Sequence, residues 1–130
     1  FEQFQLEELL PQADFFSIHI PLTAESKHLL NDETFALMKD GAYVVDASRG
    51  GVIDHAALLR ALESGKVAGA AIDVFETEPP IDWTLVKHPK VIATPHIGAQ
   101  TIEAQLRAAE DIASEVMNVL EGKQARWQCA

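Results

Sequence analysis

Cysteine is almost missing from this chain: a single one, Cys129, stands beside the end of 130 residues. No internal disulfide and no cysteine metal site can form, which fits a reducing, cytoplasmic setting. Basic residues are scarce, ten against twenty acids, for a net charge of −10. No basic patch could neutralise a row of phosphates, so nucleic acid is excluded as the main partner. The acid excess favours solubility instead. No apolar run reaches membrane-spanning length, and no basic region followed by an apolar stretch opens the chain, so neither a membrane segment nor a targeting signal is read. No two histidines have metal-ligand spacing on one helix face, and no metal site is expected. A Gly-x-Ser-x-Gly elbow and a P-loop are both absent. The chain opens on Phe1 rather than Met, which points to a fragment of a longer protein.

What is present reads as α/β. Nearly half the residues are apolar, and the length suits one domain with a real core. Residues 4–10 form a short amphipathic turn or helix closed by Pro11. Residues 14–20 (DFFSIHI) read as a buried strand ended by Pro21. Asn31 caps a helix to Met38, and Asp40-Gly41 ends it. Residues 42–47 are a second strand. Asp54 caps a helix whose Ala57, Leu58, Ala61 and Leu62 share one face, and Gly65 stops it. Residues 67–74 form a third strand of small residues. Pro79-Pro80 makes the next stretch a loop, since neither helix nor strand continues through it. Residues 84–86 make at most one helical turn, and 91–94 a short fourth strand. Thr101 caps a long helix to about Leu120, with Ile102, Leu106, Ala109, Ile112, Ala113, Val116 and Leu120 on its apolar face. The expectation is a parallel sheet of about four strands in βαβ order with helices on its faces.

The chemistry gathers at strand ends. Arg49 follows the second strand, Glu78 the third and His96 the fourth. In a parallel sheet all three lie along one edge, where ligands bind. Arginine can hold a carboxylate by a two-pronged pair. Histidine can pass a proton near neutral pH, and a carboxylate beside it can fix its orientation. Asp73 ends the third strand and could accept from an amide. Each has a plainer alternative. Arg49 could make a structural ion pair, Glu78 could be a solvated loop acid, His96 could bond backbone in its turn, and Asp73 could cap a loop. His19, inside an apolar strand, reads as a core histidine. His28, His55 and His88 sit in polar surroundings and read as surface residues.

Four blocks of residues resemble the D-isomer-specific 2-hydroxyacid dehydrogenases, nearest the branch acting on D-3-phosphoglycerate. They are Ala13-Asp14 through His19-Ile20-Pro21-Leu22-Thr23; Ala47-Ser48-Arg49-Gly50-Gly51-Val52-Ile53-Asp54; Ala70-Ala71-Ile72-Asp73-Val74-Phe75 through Glu78-Pro79-Pro80; and Thr94-Pro95-His96-Ile97-Gly98-Ala99. Their order and spacing match over roughly residues 5–122. The resemblance implies NAD-dependent hydride transfer on a D-2-hydroxy acid such as 3-phosphoglycerate. It implies that Arg49 binds the substrate carboxylate, that His96 is the general acid/base and that Glu78 pairs with it. It implies a cofactor site lined by Ile20, Ala47, Ser48, Arg49, Asp73, His96, Ile97, Gly98 and Ala99.

One part of that pattern is missing. The family's cofactor domain opens with a strand, a Gly-x-Gly-x-x-Gly turn and a helix, and then an acid that holds the adenine ribose. None of these is in the sequence, and the separate substrate domain is missing too. The chain is thus expected to be half of a Rossmann-like doubly wound domain over 1–122, with a frayed tail at 123–130. By itself it is expected to bind NAD weakly or not at all and to be inactive. The strand at 15–20 would be an unprotected edge, so a homodimer is expected, two copies pairing edges or exchanging elements. The alternative to a dehydrogenase segment is a non-catalytic module whose behaviour is folding and self-association. Small 2-hydroxy or 2-keto acids would be ligands of the parent; nucleic acid and membrane are not expected partners.

Overall fold

Each parallel strand pair needs a connection that crosses back over one face of the sheet. The computed structural model describes residues 2–126, and the chain divides into two units, Phe1–His96 and Ile97–Ala130. In the first unit α1 (Leu6–Leu9) and β1 (Phe15–Ile18) are followed by α2 (Asp32–Leu37) and β2 (Ala42–Asp46). Then come α3 (His55–Ser64), β3 (Val67–Ile72) and β4 (Val91–Ala93). The sheet runs β1-β2-β3-β4, with every pair parallel. The first two crossovers use α2 and α3. The third, residues 73–90, holds no helix, only the single turn expected around 84–86. Pro79, Pro80 and Pro89 leave room only for a turn, in which the Lys87 N–H donates to Trp83 O at 2.9 Å.

The sheet is covered on one face of this unit. Ala42, Val44 and Asp46 of β2 are buried, whereas Tyr43 is 47% exposed. Successive side chains of a strand point to opposite faces. The open face therefore carries Phe15, stacked on Tyr43 at 5.2 Å, and also Val45 and Ile92. The covered face packs Val44 and Ile72 with Leu58, Leu62 and Phe35. Burying one such side chain contributes about 1.5–3 kcal/mol. α3 forms as its sequence demands. Asp54 accepts from the N–H groups of Ala56 and Ala57 (2.9 and 3.1 Å), and Gly65 ends the helix at φ +82. Its buried residues are Ala57, Leu58, Ala61 and Leu62.

Two expectations about β1 fail. The strand stops at Ile18, so His19 is an exposed residue beyond it and not a core histidine. The cause is its neighbour: Ile18 pairs with Asp46, the last residue of β2, and no ladder exists beyond. As the edge strand, β1 is also mostly exposed.

In the second unit α4 (Ile102–Leu120) starts at Thr101, whose Oγ1 accepts from the Ala104 N–H at 3.1 Å. None of its residues is buried. The expected apolar face exists, but among the described residues this unit has no other helix or strand to cover it. Part of the expected frayed tail folds back on the helix: Arg126 donates to Glu115 through its backbone N–H and its Nε, each at 2.6 Å. Residues 127–130 lie outside the described residues. Among the described residues no helix is long and apolar enough to cross a membrane.

Candidate active site

Parallel strands bring their carboxyl ends to one edge, and three loops leave it at 47–54, 73–80 and 94–96. The first is held from below and from the side. Buried Ser48 donates its N–H and its hydroxyl to Asp46 Oδ1 at 3.0 and 2.5 Å. Burial nonetheless raises the Asp46 pKa, and its Oδ2 has no hydrogen-bond partner. At the side, residues 28–30 lace onto the loop. The His28 N–H donates to Gly51 O (2.8 Å), the Leu30 N–H to Val52 O (3.3 Å) and the Asp54 N–H to Leu30 O (2.9 Å). Arg49 projects from this pinned loop, with Nη1 donating to Ser48 O at 2.7 Å.

Glu78 and His96 meet across the other two loops. Glu78 Oε1 accepts from the Phe75 N–H at 3.0 Å, and Oε2 lies 2.8 Å from His96 Nδ1. These two bonds, the His96 one first, hold the Glu78 carboxyl below its ordinary range. A carboxylate can only accept, so Nδ1 carries the proton and Nε2 is the nitrogen that can take or give one. Arg49, Glu78 and His96 line one cleft of about 500 Å³ with Pro21, Leu22 and Gly50. A second cleft of about 400 Å³ shares Glu78 and His96 but is walled by Trp83, Val86, Pro79 and Pro80. A guanidinium and an imidazole bonded to a carboxylate thus share one opening. That arrangement can orient a carboxylate and move a proton at a group beside it.

The other sequence-nominated residues fall as follows. Ile20 lies beyond β1, 37% exposed. Ala47 and Ser48 precede Arg49 on its loop. Asp73, largely buried, follows β3; its N–H donates to Asp46 O (2.9 Å) and its Oδ1 accepts from the Thr94 hydroxyl (2.5 Å). Ile97, Gly98 and Ala99 belong to the second unit, where Ala99 O accepts from Gln105 Nε2 at 3.2 Å. Among the described residues no group of three acids, histidines or cysteines could hold a metal ion.

Sequence reasoning missed three participants. His55 is no surface residue: its ring meets Phe75 edge-on at 5.7 Å, and its Nε2 is buried without a partner. As the first residue of α3 it is carried under the Phe75 loop, where burial lowers its pKa. The His28 ring lies 3.4 Å from Glu76 Oε1, close enough for charge attraction but without hydrogen-bond geometry. Gly50 has no room for a side chain, as a Cβ there would sit 1.9 Å from Phe75 O. The paired glycines were the only sequence signal for that contact.

The family description "D-isomer specific 2-hydroxyacid dehydrogenase, NAD binding domain" matches residues 1–98. D-3-phosphoglycerate dehydrogenase of Bacillus subtilis is 57% identical over 116 residues, covering 89% of this chain and 22% of that protein. The holo form of Rhodotorula graminis D-mandelate dehydrogenase aligns with a TM-score of 0.90 at 34% identity, over 97% of this chain and 37% of that one. A D-isomer specific 2-hydroxyacid dehydrogenase from Xanthobacter autotrophicus, solved with NADPH and MES, gives 0.86 at 34% identity, over 96% and 51%. The chain spans less than a quarter of the length of the curated relatives it matches, 22% and 23% for two of them.

Proposed function

The chain belongs to the D-isomer-specific 2-hydroxyacid dehydrogenase family, through that family's NAD-binding domain, and we propose that its strand-end cleft handles a D-2-hydroxy acid and the matching 2-keto acid. The observation that carries the reading is the 2.8 Å His96–Glu78 contact opening onto the cleft that Arg49 lines. Arg49 pairs its guanidinium with the substrate carboxylate. His96 Nε2 gives a proton to the carbonyl oxygen in reduction and takes it back in oxidation. Glu78 holds Nδ1, which fixes the ring's tautomer and aim. The 3-phosphoglycerate specificity rests on the curated relatives' name and on the 57% identity to one of them.

The residues present fit the nicotinamide end of NAD. Asp73 is a buried carboxylate at the end of β3, and Ile20, beyond the end of β1 two strands away, offers an exposed apolar side chain on the same edge. When bound, NAD takes or supplies the hydride at the substrate's second carbon. No Gly-x-Gly-x-x-Gly turn occurs in the 130 residues, so the chain alone is expected neither to bind NADH at micromolar levels nor to turn over. Trp83, on the cleft shared with His96, reports binding by fluorescence.

The experiment is a segment exchange. This chain replaces the matching segment of the Bacillus subtilis enzyme, and oxidation of 3-phosphoglycerate is followed. Activity is expected, with His96→Gln lowering kcat by about 10²–10⁴-fold. A folded, cofactor-binding chimaera indifferent to His96→Gln refutes the reading. The 75% exposure of Phe15 on the edge strand favours a second reading for the isolated chain, self-association as a homodimer. Light scattering that gives a strictly monomeric mass at high concentration removes it.

A further inference from the structure

The two halves of the cleft meet at one residue. A Cβ on Gly50 would lie 1.9 Å from Phe75 O, 2.2 Å from its carbonyl carbon and 2.7 Å from Glu76 N. All three are backbone atoms, which cannot swing aside as a side-chain tip would. On its other side, the Phe75 N–H donates to Glu78 Oε1 at 3.0 Å, and Glu78 holds His96. Phe75 thus touches the Arg49 loop with its carbonyl and secures the acid–base pair with its amide. Both flanks of the contact are braced. The His55 ring packs edge-on against the Phe75 ring at 5.7 Å. His28 bonds Gly51 O through its N–H while its ring lies 3.4 Å from Glu76 Oε1.

We propose that Gly50 is a positioning residue: its missing side chain lets the Arg49 loop seat on the Phe75 peptide, and the seated Phe75 amide keeps Glu78 on His96. This deepens the catalytic reading above, since carboxylate capture and proton handling then share one geometric joint. A loop pushed away from Phe75 loosens both. Gly51 beside it, at φ +93, answers to a different demand, its own backbone conformation: a Cβ there would meet only side-chain atoms of Leu22 and Glu76, at 3.7 to 4.0 Å.

The test needs neither cofactor nor substrate, so it fails or succeeds separately from the catalytic reading. The carboxyl carbon of Glu78 is titrated by NMR in the 130-residue chain. In the unaltered chain its midpoint is expected below the ordinary 4.5, held there by the bonds to His96 and the Phe75 amide. Gly50→Ala is expected to move it up toward 4.5. Gly41→Ala is the control: Gly41, unlike Gly50, has positive φ, +80, and nothing lies within 4 Å of a Cβ there. It is expected to lower stability and leave the Glu78 midpoint in place. A Gly50→Ala chain with an unchanged midpoint overturns the proposal. If Gly50→Ala does not fold, the unaltered chain decides. The Gly50 amide resonance should titrate with Glu78, and Glu78→Gln should abolish that response. A Gly50 amide that ignores Glu78 overturns the proposal as well.

Discussion

α3 and α4 are written in the same language. Asp54 and Thr101 cap them, apolar residues recur every three or four positions, and a positive-φ glycine follows each, Gly65 and Gly122. α3 has 10 residues and buries four of them; α4 has 19 and buries none. The hydrophobic period specifies which face of a helix wants cover. It does not specify what covers it. α3 is followed after two residues by β3 and packs with α2 over the covered sheet face, so its cover is local in sequence. For α4 no later helix or strand exists among the described residues. Leu106, Ile112 and Val116 are each more than half exposed.

The largest test of this contrast is truncation on the two faces. Leu62→Ala removes a fully buried side chain of α3 and should cost about 2–5 kcal/mol, read from the denaturant midpoint. Leu106→Ala in α4 should change stability by no more than about 0.5 kcal/mol. A comparable loss from both would mean that α4 is covered in solution. If a second copy provides the cover, the loss should shrink as the protein is diluted.

The caps separate the helices next. Asp54→Ala frees two N–H groups and should cost about 1 kcal/mol of global stability. Thr101→Ala should leave the global transition alone and speed amide exchange only in the first turn of α4. Faster global unfolding of Thr101→Ala, or equal global costs, would place both helices in one cooperative unit.

What the sequence disclosed divides along the same line as the helices. Asp54, Gly65 and the face Ala57, Leu58, Ala61 and Leu62 were legible because capping and period are local. So was the convergence of Arg49, Glu78 and His96, because parallel strands put their ends on one edge. His19 was misplaced because the end of β1 is set by its partner Asp46, 28 positions from Ile18. The Gly50–Phe75 contact and the burial of His55 join distant positions through backbone approach, which no period or motif encodes. Composition gave the charge balance; contacts across the sheet edge needed coordinates.

Acid distinguishes the helices further. Burial lowers the pKa of His55, the first residue of α3, from 6.5, with Glu76, Asp46 and Asp54 pulling the other way. Below about pH 6.5 the unfolded chain binds a proton that the folded chain resists. The contribution is present above that pH and is lost as pH falls toward the folded value. His55→Gln should flatten the stability profile between pH 7.5 and 5.5, measured by thermal unfolding. In α4 the matching group is Glu115, lowered from 4.5 by its bonds to Arg126. Its contribution is lost only below about pH 4.5 and should appear as fraying of α4. An unchanged slope in His55→Gln would mean that the ring is solvated in solution.

The smallest effect should come from the ion pairs. Arg60 of α3 grips Asp32 of α2 with a fork, Nε to Oδ1 at 2.9 Å and Nη2 to Oδ2 at 2.6 Å, both side chains more than half exposed. Solvent screens such a pair, and holding two long side chains in register costs entropy. A double-mutant cycle of Arg60→Ala with Asp32→Ala should therefore show weak coupling. The coupling should vanish near 1 M salt, where the Debye length is about 3 Å. Arg60→Lys should lose most of it at low salt, because an ammonium cannot reproduce the fork. Coupling that survives high salt would mean that water is excluded from the outer side of α2 and α3. A second layer would then cover the helices that now define the solvent side of this unit, and α3 would differ from α4 only in which of its faces the chain itself covers.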